Sequence, residues 1–259
     1  MNQHKNILFT ALLGLSLLTA HAAPIAFFDF SDAPTSVGTG AANTTSAATT
    51  LAPGLGSASF TVVRNNTTAE NQSGIANVAG SSNVGAAQIS GAQTNTYGWE
   101  DGSTTNFFEF TVNFGSISAT DITFDELVLN GRTGVEWTST GTINNYASNR
   151  RSSITLRSSL DNFEANIGGE INPSFTNTNN DWVTTRIDLS GLVLAGTEDS
   201  TTFRIYTRSD TPTETGNSLF NRTQFNSVEL TGVAIPEPGT LVLVGIALGS
   251  LLLFRRKMR

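Results

Sequence analysis

Between residues 107 and 114 the side chains alternate from Phe108 onward: Phe108, Phe110, Val112 and Phe114 on one parity, Glu109, Thr111 and Asn113 on the other. Only an extended backbone puts residues i, i+2 and i+4 on one face, so this segment predicts a half-buried strand and a sheet to receive it. Apolar or alternating runs recur at 25–30, 59–63, 122–129, 153–157, 182–189, 203–207 and 225–230. Gly, Asn, Asp, Ser and Pro clusters separate them, and nothing before residue 236 sustains a helical period. The expectation is an all-β chain, with the strands packed as two antiparallel sheets in a jelly-roll sandwich over residues 23–233. Stretches 35–55, 65–85 and 138–149 are mostly small and polar. They bury too little surface to offset their ordering entropy, which predicts long surface loops or unordered segments.

Both ends read differently from the middle. At residues 1–22, Lys5 precedes an apolar run at 7–18 and small residues at Ala20 and Ala22. That order predicts a signal peptide, cut by signal peptidase so that the mature chain begins near Ala23. At residues 234–259, Pro236-Glu237-Pro238 introduces an apolar run at 240–254, which stops at Arg255, Arg256, Lys257 and Arg259. As a helix that run covers about 22 Å, short of the ~30 Å hydrocarbon core, so it predicts a transmembrane helix completed by snorkelling arginines. The basic cluster predicts a cytoplasmic end, which places everything before Pro236 on the far side of the membrane. Two prolines around a glutamate cannot continue a helix and hold the motif extended at the membrane surface.

This tail resembles that of the PEP-CTERM proteins. The resemblance implies that Pro236, Glu237 and Pro238 are read by an exosortase in a Gram-negative bacterium, that 240–254 is the anchor, and that the terminal basic residues 255–259 are the stop signal. It also implies inner-membrane anchoring before sorting to the cell surface or the exterior. The runs 154–163, 182–192, 203–206 and 228–232 resemble an ectodomain of such proteins related to galactose-binding and carbohydrate-binding-module jelly rolls. Where those domains often carry Asp-Asn before the valine of the last strand, this chain has Asn226-Ser227.

Composition narrows the chemistry. From Asp29 to Glu237 nine arginines face twenty-one acidic residues, a net charge of −12. Nucleic acid is disfavoured as a partner, because its binding needs clustered cations. Past residue 22 the far-side segment holds no cysteine, lysine or histidine. A serine triad, a cysteine nucleophile, histidine-bound zinc and a lysine Schiff base all lack their residues. The segment therefore reads as non-enzymatic, with a glycan-cleaving enzyme using Glu100 or Asp101, or a purely structural matrix protein, as alternatives. Tyr97 and Trp99 beside Glu100 and Asp101 form a candidate polysaccharide site, two aromatics for the sugar face and two acids for its hydroxyls. Oxygen ligands alone point to calcium if any metal binds, with Asp29, Asp32 and Glu229 as candidates because first and last strands of jelly rolls lie close together.

Overall fold

A computed structural model describes residues 23–31, 44–63, 74–78, 84–90, 107–134, 150–177, 182–209 and 222–235. Among the described residues every regular element other than two three-residue 3-10 turns is a strand. These are β1 (Ala23–Asp29), β2 (Thr44–Ala47), β3 (Thr50–Leu51), β4 (Ser57–Val63), β5 (Gly74–Val78), β6 (Val84–Ser90), β7 (Phe107–Asn113), β8 (Ile122–Gly134), β9 (Arg150–Ser158), β10 (Ile167–Asn177), β11 (Val183–Asp188), β12 (Ser200–Ser209) and β13 (Arg222–Ala234). One sheet runs β11-β8-β13-β1-β3, with β6 also on β13 and β5 on β6; the other runs β10-β9-β12-β7-β4-β2. All pairings are antiparallel. The chain changes sheet at almost every connection, a wiring compatible with a jelly roll.

The alternation at 107–114 is what joins the two layers. Phe108, Phe110, Val112 and Phe114 are all buried, while Phe107, Glu109 and Thr111 lie half-exposed on the other face. Across the gap Phe28 of β1 meets Phe60 of β4 with ring centroids 5.6 Å apart, Phe225 of β13 meets Phe108 at 4.6 Å, and Phe124 of β8 meets Phe203 of β12 edge-on at 5.5 Å. Tilted and offset rings satisfy their quadrupoles while each buries a large apolar area, so phenylalanine supplies both volume and geometry here. With no cysteine in the chain, this aromatic core and the ladders around it carry the stability.

Each of the eight strands expected from the sequence is present, most of them longer than their apolar cores. The small, polar stretches hold a correction. Expected as loops, 35–55 and 65–85 contain β2, β3, β5 and the start of β6. The reason lies at a sheet edge: β2 covers only one neighbour and needs β-branched residues rather than large ones. Thr45 pairs with Thr61 and bonds to it hydroxyl to hydroxyl at 2.9 Å. Strands β5 and β6 close the far side of the other sheet with Ile75, Ala86 and Ala87 buried. Residues 138–149, the signal-peptide segment 1–22 and the tail 236–259 lie outside the described residues. Among those described, no helix is long and apolar enough to cross a membrane.

First and last strands are neighbours, as expected. Strand β13 is paired along one side with β1, from Ala23↔Gly232 to Asp29↔Ser227, and along the other with β8, from Arg222↔Gly134 to Ala234↔Ile122. Both ladders shift register near Gly232 or its partners. At Gly232 any Cβ would overlap the Thr123 carbonyl and lie 2.7 Å from Ile25 Cδ1. Both obstacles belong to the packed sheet, and the carbonyl cannot swing aside. Gly232→Ala is therefore expected to destabilise the 23–235 segment by on the order of 3 kcal/mol in urea unfolding, the cost of overpacking against backbone. A change within 0.5 kcal/mol would mean that the close approach is not real.

Candidate functional site

The face of the six-stranded sheet that points away from the core carries cross-strand rows of hydroxyls, one of which runs on into charged side chains. One row runs Ala47↔Ser59↔Thr111↔Thr202, with Thr111 and Thr202 bonded hydroxyl to hydroxyl at 2.8 Å. Beside it Thr45↔Thr61↔Glu109↔Arg204↔Arg157 forms a second row. Below, Asn113 donates Nδ2–H to Ser57 Oγ at 2.7 Å. The strand period sets this up: Phe60, Phe110 and Phe203 go inward, so the threonines and serines between them go outward.

Charged and aromatic groups gather at the β12 end of those rows. Arg204 donates Nε–H to Glu109 Oε2 at 2.8 Å. Its guanidinium lies 3.9 Å from the centre of the Phe163 ring and 4.9 Å from that of Phe107. Partial burial works to lower the Arg204 pKa; hydrogen bonds to Glu109 and Tyr206 outweigh it, and the net direction is up, so the cation is held. Arg157 donates to the Phe163 carbonyl at 2.7 Å and to Asn166 Oδ1 at 2.8 Å. That brace fixes a turn in which Asn162 and Phe163 both take positive φ, 58° and 62°, costly for non-glycine residues. Because Arg204 already occupies the ring faces of Phe107 and Phe163, the cluster cements the sheet and leaves the hydroxyl rows as the open part of the surface. Sequence reasoning missed this cluster. Its signal was present, since Glu109 and Arg204 are opposite charges at outward positions of two strongly alternating strands.

A second arginine is buried on the outer face of the other sheet. Next to the core pair Phe225↔Gly131, the pair Gln224↔Arg132 turns outward, and Arg132 is only 4 % exposed. It donates Nε–H to Gln224 Oε1 at 2.8 Å and lies 4.3 Å from the centre of the Trp182 ring, while burial lowers its pKa.

The expected site residues are placed unevenly. Tyr97, Trp99, Glu100 and Asp101, the candidate sugar platform, lie outside the described residues, as do Asp32, Pro236, Glu237, Pro238, Arg255, Arg256, Lys257 and Arg259. Asp29 and Glu229 do share the outward face of adjacent strands: Asp29 is opposite Ser227 and Glu229 opposite Phe27, a diagonal relation of roughly 7–8 Å between Cα atoms. Asp29 Oδ1 accepts the Ser31 N–H at 2.9 Å. Among the described residues no three acidic, histidine or cysteine side chains converge to hold a metal.

The end of β13 is the best-defined functional feature. Ala234 still pairs with Ile122, and the Ile235 N–H donates to the Asp121 carbonyl at 3.1 Å. Pro236 follows at once, so no linker separates the sandwich from the Pro-Glu-Pro segment.

Comparison with known proteins agrees with the tail. Residues 234–257 match the PEP-CTERM protein-sorting motif. The chain thus carries the sorting signal of an exported, membrane-sorted protein of Gram-negative bacteria, and an exosortase is the processing partner it implies. No curated protein matches the chain. Among solved structures, a protein from Bacteroides vulgatus provisionally described as a glycoside hydrolase aligns at 11% identity with a TM-score of 0.38, covering 83% of this chain and 100% of that one.

Two predictions follow from the geometry. In a double-mutant cycle of Arg204→Ala and Glu109→Gln, the coupling should be about 1 kcal/mol, the size of a partly exposed ion pair; a coupling near zero would remove the pair from the account. Asp188 is held below its ordinary pKa by the Ser190 side chain and backbone N–H, and Glu198 by its own N–H and those of Ala195, Gly196 and Thr197. A depressed folded pKa means that the unfolded chain binds the proton first. This stability is complete above the ordinary carboxylate range and is lost as pH falls through it. The melting temperature should drop below about pH 4.5, and the drop should be shallower in Asp188→Asn/Glu198→Gln; parallel curves would contradict the assignment.

Proposed function

We propose that this protein is a non-catalytic surface protein. On this reading the signal peptide exports it, the 240–254 helix anchors it in the inner membrane with residues 23–235 outside, and an exosortase reading Pro236-Glu237-Pro238 moves it to the cell surface or the exterior. There the sandwich binds extracellular polysaccharide. The observation that carries the proposal is the sorting motif at 234–257 set directly on the last strand.

The polysaccharide part draws on the hydroxyl rows. The outward hydroxyls of Ser59, Thr61, Thr111 and Thr202, beside an ion-paired Glu109, offer donors and acceptors that suit a polymer that is itself mostly hydroxyl. The acidic balance of the domain argues for a neutral rather than an acidic glycan. Against catalysis, Glu109 and Glu126 are each engaged by an arginine, and Asp188 and Glu198 are both pushed down in pKa, the wrong direction for a general acid.

Two experiments test the two halves. Pro236→Ala/Pro238→Ala should insert normally, because the apolar run and basic cluster supply insertion energy and orientation, yet full-length protein should accumulate in the inner membrane of exosortase-bearing cells. Release equal to wild type would make the motif incidental. In affinity gels containing neutral exopolysaccharide, the 23–235 segment should be retarded, and Thr61→Leu/Thr111→Leu should lose at least tenfold in affinity with no reducing ends released by either. Released reducing ends would make the protein an enzyme, and equal retardation of the variant would move the binding face elsewhere.

A further inference from the structure

Three parts of the chain meet at the pole of the sandwich where β13 ends. They are Ile235 itself, the turn Ser118–Asp121 whose Asp121 carbonyl it binds, and the connection from Leu189 to Glu198. Gly196 of that connection packs so closely on the turn that a Cβ there would lie 2.9 Å from Thr120 Cγ2. Ala23, the residue expected to start the mature chain, pairs with Gly232 at the same pole.

The connection is fixed in shape. Leu189 donates its N–H to the Asp125 carbonyl at 2.8 Å, Leu192 donates to the Leu189 carbonyl at 2.9 Å, and Glu198 gathers the N–H groups of Ala195, Gly196 and Thr197. Leu192 and Leu194 pack against the core, so Val193 between them is turned outward. It is 82% exposed, and Ile235 is 58% exposed. Among the described residues the one other exposed large apolar side chain is Val183, opposite Gly131 near the far end of β8. The two most exposed apolar groups thus share the pole from which the tail departs.

Chain length decides what lies against that pole. Four residues, Pro236 to Gly239, separate Ile235 from the apolar run at Thr240. At no more than about 3.6 Å per residue they and the flanking bonds reach roughly 18 Å; once the headgroup layer of roughly 5–8 Å is crossed, the pole lies no more than about 10–13 Å from the lipid surface. An apolar run only about 22 Å long draws the attachment point further in. We propose that this pole is the membrane-facing end of the protein before processing, with Val193 and Ile235 seated in the headgroup layer of the outer leaflet. The inference rests on the anchoring role given to 240–254 above. The occupant is a bilayer of zwitterionic lipid: Asp121, Glu198 and Asp199 at this pole repel anionic headgroups, and the tether, not charge, keeps the surfaces together. Seated this way, the sandwich holds Pro236-Glu237-Pro238 within the interface, within reach of an enzyme embedded in the bilayer.

The absence of cysteine makes the test direct. Full-length chains carrying Val193→Cys, Val183→Cys or Ala247→Cys are spin-labelled and reconstituted in phosphatidylcholine vesicles. Collision with oxygen, which concentrates in lipid, is then compared with collision with a polar nickel chelate. The oxygen-to-nickel ratio is expected to be several-fold higher at 193 than at 183, and highest at 247. A lipid-like 247 with equal, aqueous values at 193 and 183 overturns this inference and leaves the anchor standing. An aqueous 247 overturns the anchor and the inference together. Shielding of 193 from both reagents that grows with protein density assigns the pole to a second copy and overturns the lipid assignment. Val193 is almost fully exposed, and an unchanged melting temperature of the labelled chain shows that its fold is kept.

Discussion

Strand β13 is held by backbone hydrogen bonds on both sides, to β1 and to β8, and the rest of the molecule is arranged around that double pairing. It ties the start of the described chain to its end and supplies Phe225, Val228 and Leu230 to the core. It also determines where the chain leaves the fold. A central strand cannot be peeled away without exposing two ladders of backbone groups, each of which costs free energy if left unpaired. Even the weak point of this strand, the register shift at Thr231/Gly232, is filled by a glycine that lets the Thr123 carbonyl come close.

From that constraint the functional layout follows. The sorting motif begins where the β8–β13 ladder ends, so four residues separate the folded body from the apolar run proposed as its anchor. The hydroxyl-lined face belongs to the other sheet, so the proposed seating of the tail pole on lipid would leave that face open to the exterior. Under the proposed function, sorting and binding then use separate surfaces.

The fold was legible where burial imposed a period. Phe108, Phe110, Val112 and Phe114 announce β7 because each inward position must be apolar, and the same holds for Phe203 and Ile205 in β12. Strands β2 and β5 were not legible, since an edge built from Thr44-Thr45-Ser46-Ala47 or Gly74-Ile75-Ala76 takes its order from a partner strand rather than from its own apolar content. The proximity of Asp29 and Glu229 could be foreseen from the habit of first and last strands to pair. The Arg204 cluster could not, because it needs the register that sets Glu109 opposite Arg204 and the brace from Arg157 that holds Phe163 over it. The sorting motif was legible as well, because it is a local pattern of proline, apolar run and terminal charge that needs no tertiary context.

The central claim is that the sandwich runs without a break into the sorting motif, and amide hydrogen exchange on the full-length protein measures it residue by residue. The amides from Val228 to Gly232, paired on both sides, should exchange only through global unfolding, as slowly as those of Phe108 to Val112 in the middle of the other sheet, and the Ile235 N–H bound to the Asp121 carbonyl should also be protected. Fast exchange setting in before Val233 would show a flexible linker ahead of Pro236, and would contradict both the close seating at the membrane and the layout built on it.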